Sequence, residues 1–366
     1  TYAGMLTGTG AIVKSGGTFN QAFSNISTGF TGTVTVNTGL FQLTGIGQIN
    51  ASAFTINGAG NLLIDNNGTI RSGARILDTT PILMNSASGT FSGETIPRGL
   101  AIRTNQNATT NETIGSLNFV SGTNWLTGEA SGTTGVAQVI ADNFTRSNNA
   151  TVNVRGRALG LTTGDRNLFR IGTTANETTW IAAAGNLVGG GGTIGGTAKN
   201  VSIVPWVVGE NLSAASVAVT NMGNTFVSYV TGRGFVPLTF GNEFSTFGTM
   251  TAGDNVRETL TTTNVSSLVS STVNSLIINN DNTANSSVSV NGNGAGQTLT
   301  NTSGAFLFTL NPAATASSVH SISLGGFDSG IAIGTTGEYI FNVINPSSAA
   351  TTPDRKSTRL NSSHSD

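Results

Sequence analysis

Acidic side chains are the residues of this sequence whose type best suits catalysis, and their spacing keeps them apart. Asp65, Asp78, Glu94, Glu112, Glu129, Asp142 and Asp165 are solitary, usually 12 to 35 residues from the next acid. A polysaccharide lyase or glycoside hydrolase needs carboxylates in pairs, or Ca2+ ligands beside a basic residue on one face. Only stacking of distant segments could bring two of these acids together. Glu177 near Trp180, and Asp165 beside Arg166, are the places where such a pair would be sought. Solvated loop residues are the plainer account of both.

The other chemical candidates are weaker. His320 lies in Ser318-Val319-His320-Ser321-Ile322, an outward strand position with no partner nearby in sequence. Gly189 to Gly192 lack the Lys-Ser/Thr of a phosphate loop and read as a loop. Asn279-Asn280-Asp281-Asn282 offers oxygen ligands with a single carboxylate, which reads as a turn. Trp125, Trp180 and Trp206 could stack on sugar rings, but isolated tryptophans in a β protein more often fill a core or cap it. No Cys is present, so disulfides and thiolate metal sites are excluded. No catalytic, cofactor-binding or metal-ligating residue is assigned, and no cofactor is expected.

The elements that would position any site are strands. Charged residues make up 9% of the 366 residues and apolar residues 37%, which does not match a disordered chain. The net charge of −1 leaves no electrostatic footprint for nucleic acid or anionic lipid. No apolar run is long enough to cross a membrane as a helix. Short alternating segments recur: Ala11–Lys14, Thr33–Val36, Leu40–Leu43, Ser116–Val120, Thr151–Val154 and Asn167–Ile171, then Ser275–Ile278, Ser287–Val290, Ala305–Phe308 and Tyr339–Val343. Period-two alternation sends one face inward and one outward. Asn57-Gly58, Asn67-Gly68 and Asn291-Gly292-Asn293-Gly294 read as turns. Val265 to Val273 has helical spacing, but its β-branched and Ser content argues for strand, and no segment is expected to be helical.

Strands this short, irregularly spaced over more than 300 residues, predict an all-β chain forming a parallel β-helix (a β-solenoid) with irregular loop insertions. Inward ladders of Val, Ile, Leu and Phe, with Asn stacks at the turns, would hold it. Stacked sandwiches are the rival architecture.

Gly8-Thr9-Gly10-Ala11-Ile12-Val13-Lys14-Ser15-Gly16-Gly17, followed by Gly32-Thr33-Val34-Thr35-Val36-Asn37-Thr38-Gly39-Leu40-Phe41-Gln42-Leu43, resembles the autotransporter-associated β-strand repeat. The match covers about 36 residues, and the link from Thr18 to Phe30 departs from the short form usual in that repeat. Ile203-Val204-Pro205-Trp206-Val207-Val208-Gly209 with Phe226-Val227-Ser228-Tyr229 is similar to the less regular parts of large bacterial surface proteins carrying it. The resemblance implies an exported passenger at the cell surface or outer membrane, acting in adhesion or surface architecture, with no catalytic residues to carry over. Glycans or other surface proteins are its expected partners, and the whole protein is expected to be anchored in a membrane or wall. A β-helix polysaccharide lyase or glycoside hydrolase, and a phage tail-spike-like fibre, are the alternatives.

Asp354-Arg355-Lys356-Ser357-Thr358-Arg359-Leu360-Asn361-Ser362-Ser363-His364 resembles the translation of a common sequencing adapter. Residues 354–366 are accordingly set aside as an adapter-derived tail, and residues 1–353 are expected to form one solenoid fragment truncated at both ends. Such ends would expose unpaired strands and favour association.

Overall fold

The computed structural model describes residues 1–344 apart from 18, 69–72, 90–97, 105–106, 131–133, 211–222, 262–263, 295, 312–318 and 335–336. Glu94 and the tail 354–366 lie outside the described residues. The chain is nearly all β. Its first part runs through β1 (Ala11–Lys14), β2 (Asn20–Phe23), β3 (Ile26–Ser27), β4 (Thr33–Leu43), β5 (Gln48–Ile49), β6 (Ala53–Asn66), β7 (Ile82–Asn85) and β8 (Leu100–Thr104). It continues through β9 (Thr109–Ile114), β10 (Leu117–Ser121), β11 (Thr123–Glu129), β12 (Val136–Ala141), β13 (Phe144–Arg146), β14 (Thr151–Gly156) and β15 (Arg166–Ile171). A helix, α1 (Thr174–Ala182), precedes β16 (Val207–Gly209), β17 (Thr225–Val230) and β18 (Gly234–Pro237). The last part holds β19 (Asp254–Leu260), β20 (Val265–Leu268), β21 (Ser271–Asn280), β22 (Ser286–Gly294) and β23 (Leu299–Asn301). It closes with β24 (Ala305–Leu310), β25 (His320–Phe327), β26 (Ile331–Ile333) and β27 (Ile340–Ile344).

The sheets are curled and mainly parallel. Among the described residues, every pairing between named strands is parallel except β16 with β17 and β17 with β18. Partners lie a few tens of residues apart. Thr33 of β4 pairs with Ala11 and with Ala53, and Leu100 of β8 pairs with Leu62 and with Leu126. A separate parallel sheet holds β9, β12 and β15 in register. The C-terminal strands repeat the arrangement, with β19, β21, β24 and β27 adjacent in that order.

Alternation makes these strands because one set of side chains leaves water on each pass. Val34, Phe54 and Ile82 are partners on neighbouring strands and are fully buried, as are Phe41, Leu62, Leu100 and Leu126 one column over. Each such Leu, Ile or Phe contributes about 1.5–3 kcal/mol by leaving water. A second core gathers Val256, Leu276, Ile278, Val288, Val290 and Phe306 in the C-terminal sheets. A third joins the two parts, packing Val208 and Phe226 with Ile277, Ala305 and Leu307. Arg146 of β13 also reaches Glu338 through a bidentate pair at 2.7 and 2.8 Å.

Polar stacking supports the apolar one. Asn85 donates to the Asn57 amide oxygen at 2.9 Å, Asn57 to Asn37 at 2.8 Å, and Asn37 to the Ser15 hydroxyl at 3.1 Å. Asn57-Gly58 therefore marks a bend within β6, where the register to β4 shifts, and not a chain reversal. Asn291–Gly294 likewise lies inside β22, beside a register shift against β25. Val265 to Val273 is strand, divided between β20 and β21 with Ser267 at φ +63°.

The helix differs from the expectation that no segment would be helical. Thr173 caps it, its hydroxyl accepting from the Asn176 N–H at 3.1 Å, and Glu177 sits in the first turn where the dipole favours an acid. Trp180 anchors it against the first core. No helix among the described residues is long and apolar enough to cross a membrane.

Close approach of neighbouring backbone requires glycine at several positions, Gly99 among them. Gly99, between Arg98 and β8, has φ +55°, and a Cβ there would lie 2.2 Å from the Trp125 carbonyl oxygen of β11. Gly99→Ala is expected to destabilise the fold by about 1–3 kcal/mol, read as a lower urea midpoint.

Candidate functional site: a line of paired charges on an outward sheet face

In a chain with 16 basic and 17 acidic residues, one outward face collects several of them. Phe41, Leu62, Ile64, Leu100, Ile102 and Leu126 point into the core, so Gln42, Asp65, Arg103 and Glu129 point the other way. Asp65 pairs in register with Arg103, and Arg103 with Glu129. Arg103 Nε donates to Glu129 Oε2 at 2.8 Å, while its Nη1 lies 3.9 Å from Asp65 Oδ2. Arg98 also pairs with Glu129. The line extends diagonally, with Gln42 donating to Asp65 at 2.5 Å and Asn20 donating to Gln42 at 2.5 Å. Arg103 and Glu129 keep about a quarter of their side-chain surface in solvent, at 26% and 21%.

The same face carries a buried pair further on. Arg155 of β14 lies beside Glu210, 3.2 Å apart, both fully buried, and its guanidinium sits 5.9 Å from the Trp125 ring centre. Burial pushes the Glu210 carboxyl up to about 7 against the opposing pull of Arg155. Arg157, following β14, pairs with Asp165 at 2.7 Å.

The sequence-derived candidates are placed as follows. Asp165 accepts from Arg157 and from the Gly135 N–H at 2.5 Å, whereas Arg166 turns to the Gly164 carbonyl. Glu177 is buried beside Trp180; it accepts from Tyr229 Oη at 2.9 Å and from the Gly232 N–H. Tyr229 accepts in turn from the Ile171 N–H at 2.8 Å, and burial holds its phenol protonated by raising its pKa. Glu177 thus latches the helix to the β17–β18 hairpin. Trp180 and Trp206 belong to an aromatic cluster with Phe144, Tyr229 and Phe235, and Trp125 is also buried.

His320 does have a partner. Its Nδ1 lies 3.0 Å from the Ser286 hydroxyl on the neighbouring strand, and that hydroxyl is 3.0 Å from the Asn280 amide oxygen. His320 Nε2 is buried without a partner among the described residues, so no carboxylate orients the ring. Burial lowers the His320 pKa. The Gly190 N–H donates to the Asn200 carbonyl and the Gly191 N–H to the Ser202 hydroxyl, so these two loop donors are already engaged. Asn279, Asn280, Asp281 and Asn282 hydrogen-bond among themselves and to Asn311. No group of three or more His, Cys, Asp or Glu among the described residues could hold a metal ion.

Glu112 is the acid that sequence spacing left least explained. It points inward from β9 and is fully buried, accepting from the Arg75 N–H at 3.1 Å and the Ile76 N–H at 2.6 Å. Burial pushes its carboxyl up to about 8, against those two hydrogen bonds and Arg75. In the unfolded chain it would titrate near 4.5, so between pH 4.5 and 8 folding binds a proton that unfolding releases. Its contribution therefore favours the fold below pH 4.5 and is lost as pH rises towards 8. Urea midpoints at pH 5 and pH 8 are expected to differ less in Glu112→Gln than in the parent chain. Equal differences in both proteins would contradict the assignment.

The Asp65–Arg103–Glu129–Arg98 line went unseen because its members lie 38 and 26 residues from their register partners. Compared with protein-family models, curated proteins and solved structures, the chain matches none.

Proposed function

We propose that the chain is a β-solenoid segment of an exported, surface-displayed protein similar to autotransporter passengers, and that it serves as a noncatalytic scaffold. One observation supports this reading above the rest. Strands a few tens of residues apart pair in parallel register, placing the main apolar core on one face and, beside a small apolar cluster of Leu40, Leu63 and Ala101, uncharged or mutually paired polar side chains on the other. A wall whose charges already neutralise one another suits contact and display more than proton transfer. Antibodies against the purified chain should label intact cells that make the protein, and protease added to those cells should remove the signal. Labelling only after permeabilisation would overturn the surface assignment.

A polysaccharide-acting enzyme is kept as a second reading by the Asp65–Arg103–Glu129 line, which is the carboxylate-with-arginine arrangement that reading requires. It predicts new chain ends on incubation with polysaccharide, lost in Glu129→Gln. The scaffold reading predicts none.

A further inference from the structure

We infer that the strip Asn20–Gln42–Asp65–Arg103–Glu129 binds an extended, neutral glycan laid across the strands, an inference that rests on the surface-scaffold reading and names its ligand class. Two amides, two carboxylates and a guanidinium lie in sequence on the outward faces of five parallel-paired strands, β2, β4, β6, β8 and β11. All five groups are planar, and planar polar groups meet adjacent sugar hydroxyls two at a time. Their orientations are set by one another: Asn20 to Gln42 and Gln42 to Asp65 at 2.5 Å, and Arg103 to Glu129 at 2.8 Å. A ligand would therefore meet Asn20, Gln42, Arg103 and Glu129 already ordered, at little entropic cost, with the largely buried Asp65 (side chain 10% exposed) positioning Gln42.

Spacing selects an extended chain. Neighbouring strands repeat at about 4.8 Å, so the strip covers about 19 Å across the strands, with Asp65, Arg103 and Glu129 in register and Gln42 and Asn20 each displaced two further residues along their strands. Charge selects a neutral one. Arg98 and Arg103 offset Asp65 and Glu129, so a uronate would meet carboxylates beside guanidiniums that are already occupied. The three tryptophans are buried, so no exposed tryptophan supplies a stacking platform and affinity rests on hydrogen bonds alone. Binding in the millimolar range is expected.

The test is a calorimetric or NMR titration of the whole chain with cellohexaose, a flat neutral hexasaccharide. Maltohexaose, which curls, and hexagalacturonate, which is anionic, serve as comparisons. Cellohexaose should bind at least about tenfold more tightly than either. Gln42→Leu, at a half-exposed position, and Arg103→Met should each weaken cellohexaose about tenfold. Gln42→Leu guards against a folding defect in Arg103→Met, and circular dichroism checks both. No cellohexaose binding, unchanged binding in both variants, or preference for hexagalacturonate would each overturn the inference. The surface-labelling result stands or falls separately, because a strip that fails to bind glycan leaves the location of the protein untouched.

Discussion

Arg75→Ala is expected to lower the free energy of unfolding by about 3–5 kcal/mol. Arg75 is fully buried, and its head distributes donors to three acceptors that have left water. Nε reaches the Asn66 amide oxygen at 2.8 Å, Nη1 the Gly47 carbonyl and Nη2 the Gly45 carbonyl, each at 2.9 Å. Its backbone N–H and that of Ile76 hold Glu112. Truncation would strand those acceptors and remove the positive charge nearest Glu112, leaving that carboxyl more dependent on its proton. Lysine keeps the charge but not the fork, so Arg75→Lys should recover only a minor part of the loss. Urea unfolding of the three proteins measures this, and a loss below about 1 kcal/mol in Arg75→Ala would show that the clamp is not formed.

Phe54→Ala is expected to cost about 3–5 kcal/mol for a different reason. Phe54 is fully buried between Val34 and Ile82 on the neighbouring strands, with its ring 6.0 Å from that of Phe41. Strands on both sides hold the backbone in register, so the space cannot collapse when the ring is removed. Phe19 offers the comparison within the same chain. It is 75% exposed, and Phe19→Ala should change stability by less than about 0.5 kcal/mol. Thermal or urea melts of the two variants check the contrast. Similar effects at both positions would contradict an inward column through Phe54.

These two sites mark how far the amino-acid sequence could be followed. The alternating segments Thr33–Val36, Ser116–Val120, Thr151–Val154, Ser275–Ile278 and Ala305–Phe308 fall on strands, the second from Leu117 onward, and Phe54 lies in a strand, β6, outside the alternating segments read from the sequence. Alternation is local, so it survives any arrangement of the strands. The partner of each strand is not local. Arg75 and Glu112 are 37 residues apart, and Asp65 and Arg103 are 38 apart, with nothing between them to signal contact. Solitary acids in the sequence are therefore paired in space, by steps whose length varies with each insertion.

The helix escaped notice through composition. Thr173-Thr174-Ala175-Asn176-Glu177 opens on a capping threonine and places an acid in the first turn, but it sits in a Thr- and Asn-rich chain where such residues usually mean turns. His320 has no partner nearby in sequence because Ser286 lies 34 residues away and meets it only across strands β22 and β25.

The parallel register carries the whole account, and a cross-link tests it most directly. The chain has no cysteine, so a pair introduced at Thr35 and Thr55, outward partners on β4 and β6, has no competing thiol. Parallel neighbours lie about 4.8 Å apart, within the Cα range a disulfide spans. The double variant Thr35→Cys with Thr55→Cys should oxidise to an intramolecular disulfide and gain about 3 kcal/mol of stability when it does. Thiols that stay free in the folded monomer, or that pair only between molecules, would contradict it.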